Sequence, residues 1–128
     1  MPPKQRILLV DDEATITRTL KLYLEGTGLY EVRTENRGAA ALTAARAFQP
    51  HLILLDIAMA DMDGGEVAEQ IRGDDALKHT PIVFLTALVK KREVVASGGA
   101  IAGYPYIAKP IEPDKVVQVI QRHIQASG

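Results

Sequence analysis

The run Leu52-Ile53-Leu54-Leu55-Asp56 decides the fold. Consecutive large apolar residues put hydrocarbon on both faces of an extended strand, which suits the centre of a parallel sheet covered by helices on each side. The run ends abruptly on a carboxylate. Ile7-Leu8-Leu9-Val10 repeats the pattern within residues 6–10 and is followed at once by Asp11-Asp12-Glu13. Pro81 precedes a third such run, Ile82-Val83-Phe84-Leu85, which ends on Thr86. Two shorter strands complete the set: residues 30–34, alternating around Val32, and Tyr106-Ile107-Ala108, which ends on Lys109-Pro110.

Helical periodicity fills the gaps between these strands. Ile16, Leu20, Tyr23 and Leu24 recur at i, i+4, i+7 and i+8, predicting an amphipathic helix closed by Gly26 and Gly28. The Ala-rich residues 38–48 predict a second helix stopped by Pro50, and Val67 and Ile71 lie on a third that follows the turn Asp63-Gly64-Gly65 and ends near Gly73. Residues 112–125 predict the last helix, with Val116, Val119, Ile120 and Ile124 inward. Residues 90–97 read as a short helix, and the Gly- and Pro-rich residues 98–105 as an extended loop. Strand and helix thus alternate through the chain. The expected fold is α/β: a five-stranded parallel sheet, doubly wound in the flavodoxin-like order 2-1-3-4-5, with helices on both faces.

Composition narrows the function. The chain has 128 residues, with 15 Lys plus Arg against 16 Asp plus Glu, a net charge of -1, and no Cys. No overall positive field exists to hold nucleic acid or an anionic membrane. A disulfide framework and a thiolate metal site are excluded. No apolar stretch approaches the roughly 20 residues that span a bilayer, and Met1-Pro2-Pro3-Lys4 lacks a signal-peptide h-region. A single cytoplasmic domain over residues 1–128, with its core from about 5 to 125 and no output domain after the last helix, is the expectation.

In a doubly wound sheet ligands bind beyond the carboxyl ends of the strands, at the switch point between the first and third. The residues placed at that edge are Asp11, Asp12, Asp56, Thr86 and Lys109. Three carboxylates in one crevice are costly to keep ionised unless a cation neutralises them. Oxygen ligands without His or Cys favour a hard divalent ion, and Mg2+ fits best. The Thr86 hydroxyl and Lys109 ammonium add donors for phosphate oxygens, so the set reads as a phosphoryl-transfer site. Taken singly, Asp11, Asp12 and Thr86 are ordinary helix caps, and Tyr106 ordinary core. Asp56 and Lys109, each ending an apolar strand, are poor core residues, and their pairing carries the reading. Asp63, before Gly64-Gly65, is a turn or capping residue outside the site. His51, His79 and His123 show no ligand spacing and read as surface or loop residues, and Lys90-Lys91-Arg92 reads as a solvated face.

Five motifs in order, the pair Asp11-Asp12, Leu54-Leu55-Asp56-Ile57-Ala58-Met59, Met62-Asp63-Gly64, Leu85-Thr86-Ala87 and Lys109-Pro110, resemble the receiver domain of two-component response regulators over essentially the whole chain. The resemblance implies that Asp56 is the phosphoacceptor, that Asp12, Asp56 and the backbone carbonyl of Ala58 ligate Mg2+ directly, and that Asp11 does so through water. It implies that Thr86 and Lys109 bind the phosphoryl oxygens, that Tyr106 is the aromatic switch residue following Thr86, and that the Lys109-Pro110 bond is cis. The implied partners are a sensor histidine kinase or histidine phosphotransfer protein and a downstream protein target, with the chain a monomer or a phosphorylation-dependent dimer. It is then a signalling phosphoacceptor, catalysing only its own phosphorylation and dephosphorylation.

Other classes fit less well. A nucleotide- or flavin-binding module needs a Gly-rich phosphate loop after the first strand, where this chain has Asp11-Asp12-Glu13. A Mg-dependent aspartate-nucleophile phosphohydrolase shares the carboxylate and lysine, but such enzymes place a second Asp where this chain has Ala58. A degenerate receiver acting only as an interaction domain is a third alternative, and the full residue set argues against it. Relative to the receiver pattern the chain departs at Ala58 and Leu88, which cannot hydrogen-bond an attacking water through their side chains. It departs again at Ala60, where the pattern usually has proline, and in residues 88–106, where the approach to the last strand is extended.

Overall fold

The computed structural model describes residues 3–87, 100, 101 and 103–124. In chain order the elements are β1 (Gln5–Val10), α1 (Ala14–Gly26), β2 (Tyr30–Glu35), a 3-10 turn (Gly38–Ala40), α2 (Ala41–Phe48), β3 (Leu52–Asp56), α3 (Gly64–Arg72), β4 (Ile82–Thr86), β5 (Ala100–Ile101), β6 (Tyr104–Ala108) and α4 (Pro113–His123). The sheet order is β2-β1-β3-β4-β6-β5. All neighbours pair in parallel except β5, which runs antiparallel to β6. The parallel strands therefore take the expected order 2-1-3-4-5, with β6 as the fifth.

Alternation along the strands sorts side chains onto two faces. Leu8, Val10, Ile53, Leu55 and Phe84 pack with Ala41, Ala45, Val67 and Ile71 of α2 and α3. Ile7, Leu9, Leu52, Leu54, Val83 and Leu85 pack with Leu20, Leu24, Val116 and Ile120 of α1 and α4 on the other face. Every residue of β3 is buried, as its double-sided apolarity demands.

The register places the site. Val10 lies opposite Leu55, Asp56 opposite Leu85 and Thr86 opposite Ala108, so the chain leaves each strand at one edge.

Some expectations need correction. Tyr23 is 43% exposed, and Thr17 takes the inward place with Leu20 and Leu24. The Thr17 hydroxyl is satisfied there, donating to the Ala14 carbonyl at 3.1 Å and accepting from Asn36 Nδ2 at 3.0 Å. The second helix starts at Ala41, because Gly38–Ala40 wind as a 3-10 turn. It ends with Gln49 at φ 53, a left-handed cap just before Pro50. The last helix is shorter than 112–125, with Glu112 as N-cap and Pro113 in the first turn, where a missing N–H costs nothing. Residues 100–105 are not simply loop. Ala100 pairs with Pro105 and Ile101 with Tyr104, with Gly103 at φ 84 in the turn, a conformation glycine adopts without strain. The expected helix over 90–97 and Leu88 lie outside the described residues.

Candidate functional site

Asp11 and Asp12 follow β1, Asp56 ends β3, Thr86 ends β4, and Lys109 follows β6. One carboxylate oxygen from each of Asp11, Asp12 and Asp56 lies within 4.8 Å of the others. Asp11 and Asp56 are buried and Asp12 is exposed. Neither Asp11 nor Asp12 caps α1; Glu13 holds the N-cap position without a side-chain bond. Asp11 Oδ1 accepts from the Glu13 amide at 2.9 Å, and Asp12 Oδ2 accepts from the Ala60 amide at 3.1 Å. Asp56 Oδ1 accepts from the Ala58 amide at 3.2 Å.

Lys109 enters from the other side. Its Nζ stands 3.0 Å from Asp11 Oδ2, 2.9 Å from Glu13 Oε1 and 3.6 Å from Asp56 Oδ2. The Lys109 amide donates to the Thr86 carbonyl at 2.9 Å, which ties the lysine to the end of β4. The Lys109-Pro110 peptide is cis. Thr86 is buried, and Tyr106, opposite Phe84 on β6, is half-buried against the α2 and α3 side of the core.

The charges are strained against each other. Burial, reinforced by the charge of Asp11, pushes the Asp56 carboxyl up to about 6, although Lys109 and the Ala58 amide pull the other way. Burial works against the Lys109 ammonium, but hydrogen bonds to Glu13 and Asp11 and the charges of Asp11 and Asp56 outweigh it and hold the lysine above its usual range. Asp11 Oδ2 is buried, with the Lys109 ammonium 3.0 Å away as its charged partner. Three carboxylate oxygens within 4.8 Å of one another and an excess of negative charge suit a hard divalent cation. Of the residues singled out in the sequence, Asp11, Asp12, Asp56, Thr86 and Lys109 are thus gathered at one sheet edge, and Tyr106 lies within β6 opposite Phe84. Two further carboxylates escaped the sequence reading. Glu13 holds Lys109, and its place directly after Asp11-Asp12 was the available signal. Asp61 accepts from the Gly38 and Ala39 amides at 3.0 Å each, a contact across the fold that leaves no local trace in sequence. Asp63 caps α3, accepting from the Gly65 amide at 2.7 Å.

The response regulator receiver domain family model matches residues 7–121. The chain belongs to that family. This receiver domain is 32% identical over 120 residues to the polar-differentiation response regulator DivK of Brucella anthropi, covering 92% of the chain and 94% of DivK. It is 35% identical over 122 residues to the DNA-binding response regulator MtrA of Mycolicibacterium paratuberculosis, covering 95% of the chain and 52% of MtrA. The receiver domain thus spans about half the length of MtrA. Among solved structures it is similar to the receiver domain of the sensor histidine kinase PA1611 of Pseudomonas aeruginosa, which has a magnesium ion coordinated in its active-site cleft. That match has a TM-score of 0.78 and 29% identity, covering 94% of this chain and 97% of the other. A receiver domain is a signalling domain, and its acidic cluster is suited to a metal ion. Among the described residues no helix is long and apolar enough to cross a membrane.

Proposed function

We propose that this receiver domain accepts a phosphoryl group onto Asp56 from a phosphohistidine on a sensor histidine kinase or histidine phosphotransfer protein in the cytoplasm, and then presents an altered surface to a downstream protein. The observation that carries this reading is the convergence of a lysine on two buried aspartates, 3.0 Å from Asp11 and 3.6 Å from Asp56, at the switch-point edge of the sheet. A carboxylate is a weak nucleophile toward a dianionic phosphoryl group, so positioning and charge neutralisation must supply the catalysis. An Asp56 oxygen attacks phosphorus, a P–O bond forms, and the P–N bond breaks. The departing imidazole nitrogen keeps the electron pair, and the ring, protonated at its other nitrogen, leaves neutral.

Asp12, Asp56 and the Ala58 carbonyl would hold Mg2+ directly and Asp11 through water. When bound, the ion offsets the charge of the carboxylates and of the phosphoryl oxygens. Lys109 and the Thr86 hydroxyl donate to those oxygens. Withdrawal of Thr86 toward the phosphoryl group changes the room beside Tyr106, which provides the switch. A groove of about 530 Å3 bordered by Glu13, Ile16, Thr19, Ala87, Lys109 and Pro110 lies beside the lysine, leaving an approach to the site from the α1 side.

Acetyl phosphate with Mg2+ tests the reading by intact mass. One phosphoryl group on wild type and none on Asp56→Asn is expected. Equal modification of both proteins, or none on wild type, would overturn it.

A further inference from the structure

Residues 57–63 form the loop between β3 and α3, and both ends of it are tied down. At its base the Ile57 amide donates to the Leu85 carbonyl at 3.1 Å and the Gly64 amide to the Ile57 carbonyl at 2.8 Å. At its tip the Ala60 amide donates to Asp12 at 3.1 Å, a bond that proline, the usual residue there in the receiver pattern, has no N–H to make. The next residue, Asp61, grips the turn before α2. Its Oδ1 accepts from the Gly38 amide and its Oδ2 from the Ala39 amide, both at 3.0 Å.

The two surfaces meet without slack. A Cβ on Gly38 would stand 2.9 Å from Met62 Cβ and 3.1 Å from Met59 Cε. The amides of Ala39 and Gly38 hold the Asp61 carboxyl below its usual range, so it faces those donors as a carboxylate. Asp61 stands outside the cluster formed by Asp11, Asp12 and Asp56.

We propose that Asp61 is a positioning residue for the cation site, bracing the loop against α2 so that the Ala60 amide presents Asp12, and the Ala58 carbonyl faces the cluster, in the geometry the ion requires. This rests on the proposed function above. The loop lacks the stiffness of proline at residue 60 and takes it from a two-pronged carboxylate one residue later. Groups that orient metal ligands without touching the ion commonly change affinity by about 10- to 100-fold when removed. Asp61→Ala therefore weakens Mg2+ binding by roughly tenfold.

Titration calorimetry with Mg2+ on the full chain, beside thermal melting without metal and the acetyl phosphate mass readout, tests this. Asp61→Asn loses the same charge as Asp61→Ala but keeps an acceptor oxygen for the turn. The expected result is a Mg2+ affinity for Asp61→Asn well above that of Asp61→Ala, with metal-free melting of both close to wild type. Equal weakening of the two variants would mean that only charge matters and would overturn the role. So would wild-type affinity in Asp61→Ala. Loss of affinity matched by a collapse of metal-free melting would make the residue merely structural and would also overturn it. Phosphorylation of wild type at Asp56, read in parallel, separates failure of this role from failure of the phosphoacceptor reading.

Discussion

Lys109 Nζ is closer to Glu13, at 2.9 Å, than to Asp56, at 3.6 Å. The lysine that would meet the phosphoryl group is held in part by a carboxylate outside the acidic cluster, and it must be released to work. Glu13→Gln removes that competitor while Asp11 and Asp56 remain. Because Glu13 is 59% exposed, the pair is worth no more than about 1 kcal/mol. Phosphorylation by acetyl phosphate should accelerate by at most about fivefold, measured as the rate of phosphoprotein formation. A slower rate would show that Glu13 aims the lysine and does not compete for it.

Burial and the Asp11 charge raise Asp56 from 3.8 to about 6 in the folded chain. Between these values the native state holds a proton that the unfolded state has released. Metal-free stability therefore falls as pH rises through that window, and what is lost stays lost above it. Asp56→Asn carries no such charge. In urea unfolding without metal it should be more stable than wild type at pH 8 by on the order of 1 to 3 kcal/mol, with the advantage shrinking toward pH 4.

On the proposed reading Mg2+ would reverse the same penalty, by binding the native cluster and not the unfolded chain. At a hundred times its Kd it should add about 2.7 kcal/mol. The melting temperature should rise with Mg2+ in wild type and much less in Asp12→Asn. Equal shifts in both would place the ion elsewhere.

Gly64 opens α3 directly over the end of β3. A Cβ there would run into the Asp56 carbonyl oxygen and stand 2.8 Å from Ile57 Cα, both backbone atoms that cannot swing aside. Gly64→Ala should cost about 1 to 3 kcal/mol or more by chemical denaturation, whereas Gly26→Ala, with open space at its Cβ, should cost far less.

Ala58 is exposed at the start of the loop after Asp56 and offers no side-chain hydrogen bond to water. With Leu88 two residues past Thr86, the phosphoryl group should be long-lived. Ala58→Asn combined with Leu88→Glu should speed its decay by about tenfold or more, since a group that positions or activates water contributes at least that much. Unchanged or slower decay in the double variant would refute it.

The sheet was legible because its signal is local. Leu52 to Leu55 can be buried on both faces only in the middle of such a sheet, and a carboxylate or lysine at a strand end stands out against the apolar run before it. What escaped depended on distant partners. Tyr23 and Thr17 both lie near the buried stripe of α1, and the Asn36 amide that meets the inward Thr17 hydroxyl comes from a distant part of the chain. Gly103 and Pro105 read as loop because composition does not reveal that Ala100 and Ile101 lie alongside. Asp61 looks like any polar loop residue until Gly38 and Ala39 arrive from the far side of β3.

Strand β6 has two partners in succession: Tyr104 and Pro105 pair with β5, then Tyr106, Ile107 and Ala108 pair with β4. A slip by one residue would reverse the faces of Tyr104 and Tyr106 and drag Lys109 off the strand end. Because the hairpin and the sheet must slip together, each guards the other's alignment. The small antiparallel flap at the rim is a ratchet pawl for the lysine at the centre.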